Sequence, residues 1–182
     1  MIAYVPWEHI PEDNAMTIHP IFAHMNLDKL RIISAGTYTV VFTDDKLVMK
    51  IGLISNKTPK IMQYAHDRGF SVPVIDYAER IKIPLFIQRM IESMPIHAYA
   101  CILSDIYLAS WIVGDYADVL ICGLADPWLK HDKRYTDSSI QRAYEIARKI
   151  KINYETLTSG KWMDDHPYNL AYYNGKLVII DF

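Results

Sequence analysis

Apolar positions along the chain change their period several times, and each change marks an element. Residues 1 to 28 mix Pro6, Trp7, Pro11 and Pro20 with polar residues and hold no sustained period. That pattern predicts a loop with one short helix near Ile18 to Met25. From Leu30 the chain runs in short β-branched and aromatic stretches: Leu30 to Ser34, Tyr38 to Thr43, and Lys46 to Ile51. Two tight turns separate them, one at Ala35-Gly36-Thr37 and one at Asp44-Asp45, so the stretch predicts a three-stranded antiparallel meander. Thr58-Pro59 and Gly69 bracket a helix, with Thr58 as its N-cap, Pro59 at its first position and Gly69 just past its end. Val72 to Ala78 and Ile83 to Met90 each carry a proline near their start, and both are expected as strands completing a five-stranded sheet. Ile91-Glu92-Ser93-Met94 is expected as a linker.

The second half has a different texture. Ile96 to Gly123 is very apolar and is expected to be helical, interrupted at Gly114-Asp115. A charged loop follows from Trp128 to Tyr135. Lys130, His131, Lys133 and Arg134 there form either a solvated connection or a patch for an acidic or phosphorylated partner. Asp137 opens an amphipathic helix whose apolar stripe is Ile140, Ala143, Tyr144, Ala147, Ile150, Tyr154 and Leu157, and Gly160 ends it.

Composition narrows the class without naming it. With 182 residues, 51% hydrophobic and 22% charged, the chain can bury a core as one domain or as two small lobes sharing a cleft. A net charge of -2 argues against a general nucleic-acid binder. Cys101 and Cys122 lack metal-ligand spacing and are expected as buried thiols in a reducing cytoplasm. The apolar run from Ala98 to Val113 contains Asp105, so a core helix is expected there and no membrane span. The seven histidines show no helical pair and no cysteine partner, and no zinc site is expected.

Chemistry concentrates at the end of the chain. Asp164-Asp165-His166-Pro167-Tyr168-Asn169 is followed by an apolar hairpin that runs through Gly175 to Asp181. Mg²⁺ is a hard ion that takes one or two protein oxygens plus waters and phosphates, so Asn169 and Asp181 suffice to hold it. Asp164 is then left to accept a proton from an attacking hydroxyl. The bland alternative is an ordinary hairpin with Asn169 in a loop. Upstream, backbone N–H groups at the Gly36 turn either close over phosphate oxygens or simply make a hairpin turn. Lys50, inside the apolar stretch Leu-Val-Met-Lys-Ile, either meets an anion or lies at an exposed edge.

Asp164, Asn169 and Asp181, with Gly36 and Lys50 ahead of them, resemble the protein-kinase-like fold. The form Asp-x-His-Pro-x-Asn is similar to aminoglycoside and choline kinase-type phosphotransferases and to small bacteriophage protein kinases. The resemblance covers about residues 29 to 182. It implies an α+β, two-lobed architecture: an N-terminal extension over 1–28, an antiparallel five-stranded lobe over 29–94 with a hinge at 91–94, and a reduced helical lobe over 95–182. It further implies ATP and Mg²⁺ as cofactors, with Asp164 and Lys50 catalytic and Asn169 and Asp181 on the metal. Gly36, Thr37, Lys50 and Glu92 would hold the nucleotide, Glu92 through the hinge. The implied activity is that of a minimal phage-like serine/threonine protein kinase in the cytoplasm, the host's if phage-encoded. The alternatives are a small-molecule kinase, or a pseudokinase that binds or inhibits another protein. A protein substrate or target is the expected partner, with no nucleic acid and no membrane. The family's helix glutamate, which pairs with the strand lysine, has no counterpart; Asp67 and Gln63 are the nearest candidates.

Overall fold

The computed structural model describes residues 18–35, 38–94, 116–127, 145, 148 and 170–180. These fall in two compact units, Met1–Ser55 with Ile75–Cys122, and Asn56–Val74 with Gly123–Phe182. The fold class is α+β, with a five-stranded antiparallel sheet and two α-helices among the described residues.

In the first unit, β1 (Arg31–Ala35), β2 (Thr39–Thr43) and β3 (Leu47–Gly52) form the expected meander. The sheet order is β1-β2-β3-β5-β4, with β4 at Val74–Lys82 and β5 at Tyr116–Gly123. Register and burial agree. Val40 pairs with Ile51 and Phe42 with Met49, and all four are fully buried on one face. Ala117, Val119 and Ile121 of β5 join them there. Between Ile32 and Ser34 the β1–β2 register shifts by one residue, leaving Ile33 as a bulge that is 45% exposed.

Two segments differ from expectation, and both for identifiable reasons. The segment expected as a strand over Ile83 to Met90 is instead α2, Leu85–Glu92, entered after Pro84. Its isoleucine and phenylalanine content favours strand, but Ile83, Ile87 and Ile91 recur every four residues and all three are buried against the sheet. The period wins over the composition. Conversely, the expected helix reaching Gly123 gives way to β5 over its last eight residues. A central strand buried on both faces reads as an unbroken apolar run, which periodicity cannot tell from a buried helix. The sheet therefore draws its fifth strand from beyond residue 94. Residues 95–115 lie outside the described residues, as does most of the amphipathic helix expected after Asp137, of which Glu145 and Arg148 are helical. The short helix near Ile18 to Met25 is a 3₁₀ turn, Pro20–His24, whose Ile21 and Phe22 enter the same core.

The second unit contains α1, Thr58–His66. The helix starts at Thr58 itself, with Lys57 as its N-cap, so Thr58 is not the cap. Its end is as expected. Phe70 N–H donates to Ala65 O at 2.9 Å and Gly69 N–H to His66 O at 2.8 Å, with Gly69 at φ +78. A three-stranded sheet, β6-β7-β8, joins Asp126–Pro127, Leu170–Tyr173 and Lys176–Ile179. Asn174 and Gly175 make the β7–β8 turn with φ of +50 and +75, the two-residue geometry that an Asn-Gly pair favours.

Candidate functional site

Lys50 lies inside β3 and is 8% exposed, so the exposed-edge alternative is excluded. Because side chains alternate along a strand, Lys50 and its cross-strand neighbour Val41 occupy the face opposite the Met49 and Ile51 core. Ser34 of β1 completes that rung, and Thr43 and Val48, both buried, lie one pair further along. From β5, alternation brings Leu120 and Cys122 to the same face. Both are buried, Cys122 as a free thiol. Among the described residues, Lys50 is the one cation of this buried set, the half-exposed Asp118 lies on the same face by the same alternation, and the rung begins at Ser34, two residues before Gly36. Gly36 and Thr37 themselves lie outside the described residues.

Burying a lysine ammonium is costly unless it meets an anion or hydrogen-bond acceptors, and the sheet must hold it against that cost. Parity is fixed by the apolar pattern: a slip of one residue would turn Lys50 into the Val40–Phe42 core. A slip of two keeps parity and has to be excluded otherwise. Gly52 does so on one side. A Cβ there would lie 2.0 Å from Tyr38 O, so only glycine fits opposite that carbonyl. Leu53 N–H donates to the same oxygen at 2.8 Å.

Just past β3 the chain is seized by side chains from two other strands. Asp118 of β5 accepts Ile54 N–H on Oδ2 at 3.0 Å and Arg80 N–H on Oδ1 at 2.9 Å. Tyr77 of β4 donates its hydroxyl to Ile54 O at 3.1 Å. Burial first, then the charges of Asp118 and Glu79, push the Tyr77 phenol well above the usual tyrosine range, so it stays a donor at neutral pH. Arg80 sits at φ +48, an uncommon conformation for a residue with a side chain, and the Asp118 contact helps hold it.

The motif at the end of the chain is described through its scaffold. Asp164, Asn169 and Asp181 lie outside the described residues, as do Asp165 and His166. Leu170 pairs with Ile179 across β7 and β8, so the strand residue after Asn169 and the strand end two residues before Asp181 stand at one end of the hairpin. That end is tied within its unit to the segment after α1. Ser71, 2% exposed, donates its hydroxyl to Ile179 O at 3.0 Å, and Ile179 N–H donates to Phe70 O at 2.9 Å. His66 Nδ1 reaches Ser71 O at 3.0 Å, extending the tie to α1.

Other expectations meet mixed outcomes. Glu92 is the exposed last residue of α2, the helix whose Ile87 and Ile91 pack on the Met49 and Ile51 face. Gln63 and Asp67 lie on the exposed side of α1, and Gln63 Nε2 donates to Asp67 Oδ1 at 2.7 Å. Among the described residues no cluster of His, Cys, Asp or Glu could hold a metal ion, and no helix is long and apolar enough to cross a membrane. Cys101 and the basic loop at Lys130 to Arg134 lie outside the described residues. Sequence reasoning did not find Asp118, Tyr77 or Ser71. Asp118 did carry a signal, as an aspartate within an apolar strand. Comparison of the chain with family models, with curated proteins and with solved structures returns no match.

Proposed function

We propose that the chain is an ATP-dependent phosphotransferase of minimal serine/threonine-kinase type. The observation that carries this reading is Lys50, a buried lysine on the third strand of a meander, on the rung that begins at Ser34, two residues before Gly36. The β7–β8 register supports it from the other half, because both strand ends that lead to the proposed metal ligands stand together.

In this reading Lys50 and the backbone of Gly36 and Thr37 take the nucleotide phosphates. Asn169 and Asp181 offer the oxygen donors that a hard divalent cation prefers, and the bound Mg²⁺ would neutralise charge on the phosphates. Asp164 holds the acceptor hydroxyl and takes its proton as the hydroxyl oxygen bonds to the γ-phosphorus. The bond from that phosphorus to the β–γ bridging oxygen breaks, and ADP carries the electron pair away. With no glutamate on α1, Asp67 engaged by Gln63, and the pair exposed, turnover in the isolated chain is expected to be slow.

The test is transfer of labelled γ-phosphate to serine or threonine of lysate proteins in the presence of Mg²⁺. Asp164→Asn should abolish it and Asp165→Asn should not. Transfer that survives Asp164→Asn, or its absence from the wild type with every acceptor, would refute the proposal.

A further inference from the structure

The geometry points to Tyr77 and Asp118 as positioning residues for Lys50, a role that rests on the phosphotransferase reading. Ladder pairing of β3 with β2 stops at Gly52. Two residues later both polar groups of Ile54 are taken by side chains, its N–H by Asp118 and its carbonyl by Tyr77. These contacts span 64 and 23 residues of sequence. They tie the exit of β3 to β5 and β4 at once, and the second oxygen of Asp118 holds Arg80 in β4.

The consequence for Lys50 follows from strand geometry. Between Lys50 and Ile54 the chain is held at Gly52, which packs against Tyr38 O, and at Leu53, whose N–H donates to the same oxygen at 2.8 Å, so fixing Ile54 limits axial slip of Lys50 by a strand step of roughly 3.3 Å per residue. Pattern alone excludes odd slips of β3. Gly52 against Tyr38 O and the Ile54 clamp together exclude even ones. A lysine that must meet a phosphate gains from such a limit, because less side-chain and strand freedom is lost on binding. Tyr77 and Asp118 do not touch the nucleotide in this account; they act through β3.

The experiment is a double-mutant cycle read by Mg-ATP binding to the full chain, using calorimetry and melting temperature. Tyr77→Phe is the main variant, since it keeps the ring and removes only the hydroxyl; Asp118→Asn is the second. Loss of one such hydrogen bond should weaken Mg-ATP about fivefold. The same change in a Lys50→Met background should have little further effect, because the lysine it positions is gone. A merely structural role predicts a lower melting temperature without ligand and equal losses in both backgrounds, and that result overturns the inference while leaving the phosphotransferase reading intact. A wild-type chain that binds no Mg-ATP removes both.

Discussion

Strand β3 is entered and left through two aspartates that do the same chemistry by different means. Asp44, at the turn before it, is 4% exposed and accepts three backbone N–H groups: Asn26 on Oδ2 at 2.8 Å, and Lys46 and Leu47 on Oδ1 at 2.9 and 2.8 Å. Thr43 adds a hydroxyl bond to Leu47 O at 2.8 Å, so the turn is built almost wholly from its own residues. Asp118, beyond the strand's other end, reaches across 64 and 38 residues to do its work. The first device organises a local turn, and the second joins three strands that are distant in sequence. Only the second reports on the assembled sheet.

The largest expected effect breaks the strand between them. Gly52→Ala forces a Cβ onto Tyr38 O and should cost on the order of 4 kcal/mol or more, measured by urea unfolding. Asp44→Ala comes next. It leaves three part-buried N–H groups without their acceptor and should cost about 2–3 kcal/mol. Asp118→Ala, at a half-exposed carboxylate, should cost about 1–2 kcal/mol. Kinetics sharpen the contrast: Asp44→Ala should mainly slow folding, as a local turn forms early, and Asp118→Ala should mainly speed unfolding. Equal partition of both would remove the distinction.

The pH arms separate the two ends of β3 without large structural change. Burial opposes ionisation of Asp44, but its backbone donors, led by Asn26, outweigh it and hold the carboxyl below the usual range. Its contribution is therefore present above the unfolded carboxylate pKa and is lost as pH falls through the folded value. Tyr77 has the opposite sign. Its contribution is full below the unfolded pKa of about 10 and is lost as pH rises toward the folded value. Asp44→Asn should flatten the acid arm of stability and Tyr77→Phe the alkaline arm. The smallest effect belongs to the exposed Arg31–Asp45 pair, where Arg31→Ala should change stability by less than about 1 kcal/mol.

The same division explains what the sequence made legible. The β1–β3 meander, the end of α1 at Gly69 and the Asn174-Gly175 turn are written in residues a few positions apart, and each stands where local chemistry puts it. Lys50 was readable as an anomaly, a cation in an apolar strand. The exchange of strand for helix at Leu85–Glu92 arose because strand-type composition masks the four-residue period of Ile83, Ile87 and Ile91, and that of helix for strand at Tyr116–Gly123 because only tertiary context tells a buried strand from a buried helix. Asp118, Tyr77 and Ser71 act on backbone groups 23 to 108 residues away, and no local pattern announces such partners.

The central claim is that Lys50 is held in place to receive phosphate, and calorimetric titration of the wild type and of Lys50→Met with Mg-ATP tests it most directly. The account predicts saturable binding to the wild type, loss of at least about tenfold in affinity in Lys50→Met, and an unchanged fold by circular dichroism. Equal binding by both proteins, or none by the wild type, would contradict it.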